Sequence, residues 1–217
     1  MIIYNPNDEE IVKERIEEAE LILNQIHARH CFISGSFLYK EKYNDIDIFI
    51  ITRSKKEFKI KNKKAKINII DFNDLYSLFY HSVSKSCISK NILPRKTLKV
   101  TLADFWSVIN EVVPTIMNQK TTYHKEVRSL LLYAEYFKTG NILDTFQLDR
   151  KIKELKNYKE ILEYIEKEVP NFIVKNKRKT YLKRFFYTQA GFYKGMLSYQ
   201  AQKYLYSLTH LILNTFN

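Results

Sequence analysis

Cys31-Phe32-Ile33-Ser34-Gly35-Ser36, followed ten residues on by Asp45-Ile46-Asp47-Ile48-Phe49-Ile50-Ile51, is the stretch on which the reading of this chain turns. The first segment is an apolar strand running into a Gly-Ser turn. The second is a strand with two carboxylates at its entrance. Side chains alternate along a strand, so Asp45 and Asp47 project from one face a few ångströms apart. Like charges at that spacing repel unless a cation lies between them, and Mg²⁺ or Mn²⁺ prefers one or two carboxylates together with substrate phosphates. Gly35 lets a ligand approach the backbone. Ser36 opens a short helical segment, Phe37 to Lys42, either an ordinary strand-to-helix turn with a Ser cap or one whose N–H groups and hydroxyl face outward from the strand end to receive a phosphate.

Upstream, Ile11, Val12, Ile16, Ala19, Ile22, Leu23 and Ile26 mark one apolar stripe of a helix over Asp8 to Arg29. Asn7 or Asp8 caps it, and Asp8, Glu9 and Glu10 complement the positive end of its dipole. Downstream, Asp45 to Thr52 is nearly continuously apolar after Asp47, the pattern of a strand covered on both faces. Arg53 to Lys66 is a basic arm or short crossover with Lys55, Lys56, Lys59, Lys61, Lys63 and Lys64 around Phe58 and Ile60. Its cations guard a sheet edge or track phosphates. Ile67 to Phe72 reads as a third strand, and Asn73 and Asp74 as caps of a helix through Leu75, Leu78 and Phe79. Ser86 to Thr101 is irregular and basic.

The remainder reads as helices over about 102–117, 122–138 (stopped by Gly140), 145–157, 158–168 (stopped by Pro170), 178–197 and 200–214. Lys175 to Arg184 interleaves Lys175, Lys177, Arg178, Lys179, Lys183 and Arg184 with Tyr181, Phe185 and Phe186. That mixture suits single-stranded nucleic acid, or else the wet and core faces of one helix. The expected fold class is α+β: a small mixed β-sheet domain over residues 1–85 followed by an α-helical domain over 86–217.

Composition narrows the class further. An apolar fraction of 45% supports a core in a chain of 217 residues. Only four Gly and four Pro, against 16 Tyr and 14 Phe, favour long helices packed through aromatics over flexible linkers. No apolar run is long enough to span a bilayer, and the first residues lack a secretory leader pattern, so a cytoplasmic protein is expected. Cys31 and Cys87 make neither a disulfide framework nor a zinc site. A net charge of +12 points to a polyanionic partner, nucleotide or nucleic acid.

The Gly35-Ser36 turn, the Asp45-Ile46-Asp47 strand ten residues later and a further strand with an acid between apolar residues together resemble the signature of the DNA polymerase β-like nucleotidyltransferase superfamily. The resemblance covers roughly Leu21 to Leu78. It implies that Asp45 and Asp47 hold Mg²⁺ or Mn²⁺ and that Gly35 and Ser36 hold the β and γ phosphates of a nucleoside triphosphate, with Lys40 adding a charge. The implied reaction transfers a nucleoside monophosphate to an acceptor: an RNA or tRNA end, a protein hydroxyl or a small molecule.

A typical member carries its third acid where this chain has Asn68, which offers one neutral oxygen and no base. Asp71, between Ile70 and Phe72, also fits the apolar-acid-apolar rule, but on the opposite strand face. An antiparallel hairpin of the second and third strands brings Asp71 beside Asp45 and Asp47, and on that pairing Asp71 is the expected third catalytic and metal-binding acid. A parallel crossover favours Asn68 and a weakened or inactive site. The alternative reading is therefore a degenerate nucleotidyltransferase fold that binds nucleotide or nucleic acid without turnover. A third is a helical interaction module whose first half mimics the motif.

Overall fold

The computed structural model describes residues 1–53, 58–119, 124–155 and 157–175, together with Lys203, Tyr204, Ser207, Leu208 and His210. The fold is mixed α+β, with strands in the first hundred residues and mainly helices after them. The chain divides into two compact units, Met1–Val100 with Ile142–Asp149, and Thr101–Asn141 with Arg150–Asn217. The expected boundary at residue 85 falls ahead of the last strand of the sheet. The basic-aromatic stretch Lys177 to Arg184, the expected helices 178–197 and 200–214, and Lys55 and Lys56 lie outside the described residues, apart from those five positions.

The first unit is built on a five-stranded sheet, β1 (Ile2–Tyr4), β2 (His30–Ser34), β3 (Ile46–Ile51), β4 (Ala65–Ile70) and β5 (Cys87–Ser89), in the order β1-β5-β2-β3-β4. All neighbours are antiparallel except β3 and β4, which run parallel from Ile46↔Ala65 to Ile51↔Ile70. This corrects the antiparallel hairpin expected for β3 and β4. A parallel pair needs a crossover of about a dozen residues, and the connection after β3 is long enough to provide one. Within it, Phe58 and Ile60 pack on the α1 side of the sheet, a burial that a tight hairpin forgoes.

Helix α1 (Glu9–Asn24) starts where Asp8 Oδ1 accepts from Ile11 N at 3.0 Å. Its stripe Val12, Ala19, Ile22 and Leu23 covers Cys31, Ile33, Ile46, Ile48 and Ile50 on one face of the sheet. The other face, from Phe32, Phe49, Ile51 and Ile70, packs against Leu75, Tyr80 and Val83. Phe32 stacks on Phe49 with ring centroids 5.0 Å apart. Burial on both sides explains the continuous apolar run of β3. The helix expected after Asp74 is split: a 3-10 turn (Asp74–Tyr76) precedes α2 (Leu78–Val83), and Ser77 Oγ, not Asn73 or Asp74, caps it by accepting from Tyr80 N at 3.1 Å.

Ile142–Asp149 returns to this unit. Ser82 Oγ donates to the Leu143 carbonyl at 2.6 Å, Lys85 Nζ donates to the Ile142 carbonyl at 2.6 Å, and Tyr39 meets Phe146 edge to face. Asp144 and Gln147 exchange backbone bonds, Gln147 N to Asp144 Oδ1 and Asp144 N to Gln147 Oε1, closing a capping box for α5 (Thr145–Glu154).

In the second unit, α3 (Leu102–Gln119) buries Phe105, Ile109, Val112, Val113 and Ile116 beside Val127, Leu130, Leu131 and Ala134 of α4 (His124–Thr139). Helix α6 (Tyr158–Lys175) adds Ile161 and Ile165. It runs through Pro170, the expected stop, to Lys175. Proline removes one backbone donor from an interior turn, at a cost that packing of a long helix can offset. Among the described residues no helix is long and apolar enough to cross a membrane.

Candidate functional site

The sheet brings the Gly-Ser turn and the acidic strand together. Ser34, last residue of β2, is registered with Asp47 of β3, so the chain leaving β2 at Gly35 passes beside the Asp47 side chain. Gly35 adopts φ 89°, ψ −161°, a region open essentially to glycine alone. A Cβ at Gly35 would lie 3.0 Å from Asp47 Oδ2. Turn and carboxylate are thus in contact, and the missing side chain is what makes room.

After Gly35 the chain forms one 3-10 turn, Ser36–Leu38, shorter than the helical segment expected over Phe37 to Lys42. Phe37 and Leu38 are buried and anchor it, leaving Ser36 half-exposed. The loop into β3 is held by Tyr43, whose hydroxyl donates to Glu18 Oε2 at 3.1 Å. The Tyr43 ring lies 5.0 Å from Phe37 and takes the Arg15 guanidinium at 4.8 Å and the Lys64 ammonium at 4.4 Å. This clamp sets where Asp45 enters the sheet.

Asp45 and Asp47 are both half-buried and share the sheet face of Phe49 and Ile51. Across on β4, Lys66 is registered with Asp47, and Asn68 with Phe49. Lys66 and Asn68 therefore lie on the same face as the carboxylates. The Lys66 ammonium donates to Asp45 Oδ2. Its hydrogen bond and charge attraction to Asp45, with a further pull from Asp47, hold its pKa above the ordinary lysine value.

Asp71 is not part of this group. It lies one residue past Ile70, which pairs with Ile51, so it is level with the end of β3 and roughly 16 Å along the strand from Asp47 at about 3.3 Å per residue. There it organises a turn: its Oδ1 accepts from Asn73 N at 2.8 Å and its carbonyl from Asp74 N at 2.9 Å. The parallel pairing is the physical reason, because it places the start of β4, not its end, beside the carboxylate pair. Asn68 takes the place expected of the third acid.

Lys40 is engaged elsewhere. Its ammonium donates to Asp149 Oδ2 at 2.9 Å, and the Tyr39 hydroxyl donates to the same oxygen at 2.9 Å. Lys66 itself was legible only as one charge of a basic run. Strand alternation marks it once the pairing is parallel, since it then stands two residues before Asn68 on the carboxylate face.

A divalent ion fits the donors. Asp45 and Asp47 supply hard carboxylate oxygens and Asn68 one amide oxygen, on one sheet face beside the Gly35 turn. Among the described residues no group of three or more His, Cys, Asp or Glu side chains converges on a metal position.

Comparison of the chain with family models, with curated proteins and with solved structures gives no match. The functional reading therefore rests on the site.

Proposed function

We propose that the sheet unit is the nucleotide-binding and catalytic part of a metal-dependent nucleotidyltransferase, which moves a nucleoside monophosphate from a nucleoside triphosphate to an acceptor hydroxyl. The observation that supports this reading is the close approach of Asp47 Oδ2 to the side-chain-free surface of Gly35, beside the carboxylate of Asp45. Asp45 and Asp47 would hold a Mg²⁺ or Mn²⁺ ion, which when bound neutralises phosphate charge and polarises the phosphoryl oxygens. The Gly35 and Ser36 backbone and the Ser36 hydroxyl grip the terminal phosphates. The acceptor hydroxyl gives up its proton to solvent water, its oxygen forms a bond to the α-phosphorus as the bond to the β-phosphate oxygen breaks, and pyrophosphate leaves with the electron pair. Net positive charge makes an RNA or tRNA end the favoured acceptor class over a protein hydroxyl or a small molecule.

Labelled triphosphates with Mg²⁺ or Mn²⁺ in a cell extract test the reading. Label should pass to an acceptor and should cease to do so with Asp45→Ala and Asp47→Ala together. Transfer that survives the double change overturns the mechanism.

One observation favours a second reading. With Asn68 where a third acid would stand, the carboxylates of the site among the described residues are Asp45 and Asp47, both assigned to the ion, and Asn68 offers no base for the acceptor proton. A protein that binds nucleotide without turnover would show calorimetric binding indifferent to divalent ions and no pyrophosphate release.

A further inference from the structure

Among the described residues, four side chains make one small charged field: Asp45 at the entrance of β3 and Asp47 on it, Lys66 and Asn68 on the parallel β4. Its composition is unusual for a site that must hold two divalent ions. Two such ions need several shared anionic oxygens, because each repels the other as well as any lysine nearby. Here two carboxylates are present, one amide oxygen replaces a third, and a lysine adds a positive charge. Lys66 is registered with Asp47 and bonded to Asp45, so its ammonium lies within the reach of both acids. Its side chain is two-thirds exposed on a strand at the sheet edge, free to swing about its flexible stem once the carboxylates are otherwise neutralised.

We propose, resting on the nucleotidyltransferase reading above, that Lys66 does the work of a second metal ion: the site takes a single Mg²⁺ or Mn²⁺ on Asp45 and Asp47 and answers the remaining triphosphate charge with the Lys66 ammonium. Without nucleotide, the ammonium pairs with Asp45 and offsets part of the charge of the two acids. With nucleotide and one ion bound, it transfers from Asp45 to a phosphate oxygen, as a point charge without the planar fork of arginine. Asn68 completes the ion's oxygen shell through its neutral carbonyl.

The test counts ions. Mn²⁺ is titrated into the full-length protein with a saturating α,β-methylene analogue of ATP, and bound Mn²⁺ is read by electron paramagnetic resonance. The wild type should hold one ion for each analogue. Lys66→Met should weaken the analogue about tenfold while tightening Mn²⁺ binding in its absence by about tenfold, the ratio expected for removing one positive charge beside a dication even at high dielectric. Lys66→Met combined with Asn68→Asp should bind two ions. Circular dichroism melting of each variant checks that the fold is kept, as the exposure of Lys66 leads one to expect.

Two ions in the wild type, or a Lys66→Met protein with unchanged affinity for both probes, overturns the proposal and leaves the nucleotidyltransferase reading standing. An analogue that binds no form of the protein, with or without Mn²⁺, overturns that reading itself and this inference with it.

Discussion

Gly35→Ala isolates the contact on which the site depends. The backbone at Gly35 lies at φ 89°, ψ −161°, where a side chain costs about 1–3 kcal/mol. The new methyl would also stand 3.0 Å from Asp47 Oδ2, closer than nonbonded atoms settle, and the nearest relief is rotation of the carboxylate away from the turn. The expected loss is therefore about 2–3 kcal/mol in the sheet unit, a fall in its melting midpoint of roughly 4 °C or more for each kcal/mol in a domain of this size. Gly140→Ala is the control, since Gly140 has φ 77° with nothing within 4 Å of an added Cβ and so carries only the backbone cost.

Urea unfolding followed by circular dichroism would give both losses, and a double-mutant cycle with Asp47→Ala would separate clash from strain. In the Asp47→Ala background the penalty of Gly35→Ala should shrink by about 1 kcal/mol, because the oxygen it meets is gone. Additive losses, or a Gly35→Ala cost no larger than that of Gly140→Ala, would refute the claim that turn and carboxylate touch.

Phe32→Ala removes a fully buried ring stacked on Phe49 and should cost about 3–5 kcal/mol, measured by urea unfolding. Burial pushes the Cys31 thiol up to about 11 and Cys87 up to about 12, from an ordinary 9.0. Both thiols should therefore resist Ellman's reagent at pH 8 until the protein unfolds. Above pH 9 the unfolded chain releases these protons while the folded chain keeps them, so stability should fall as pH rises through 11 to 12, by up to about 1.4 kcal/mol per pH unit for each thiol. Asp149→Ala removes a carboxylate that is 12% exposed and accepts from both Lys40 and the Tyr39 hydroxyl, and should cost about 1–3 kcal/mol while raising nucleotide affinity, because Lys40 is released; Lys40→Ala should lower that affinity. Equal small losses of stability with unchanged affinity would make Lys40 a strut alone.

Much of the sheet unit was legible before any coordinates. The stripe from Val12 to Leu23 repeats at helical spacing, β2 and β3 carry runs of consecutive apolar residues, and β4 alternates apolar and polar residues before Ile69-Ile70. β1 and β5 do not: three residues are too few for an alternation, and Cys87-Ile88-Ser89 sits in a stretch whose lysines and Pro94 suggest a loop. The pairing direction of β3 and β4 depends on where Phe58 and Ile60 find an apolar surface, which is tertiary information, and the choice between Asp71 and Asn68 followed it. Asp45 and Asp47 were readable as a pair because strand alternation is local. Lys66 was not, because its meaning depends on the strand beside it. Pro170 misled for a related reason, since a local stop signal gives way where a long helix has partners.

The return of Ile142–Asp149 to Tyr39, Lys40, Ser82 and Lys85 sets an order of events during synthesis. When Val100 leaves the ribosome, all five strands are present but the unit around them still lacks Ile142–Asp149, and at about 5–20 residues per second that segment emerges roughly 2–10 s later. For that interval the Ser82 hydroxyl and the Lys85 ammonium lack the Leu143 and Ile142 carbonyls to which they donate in the finished fold.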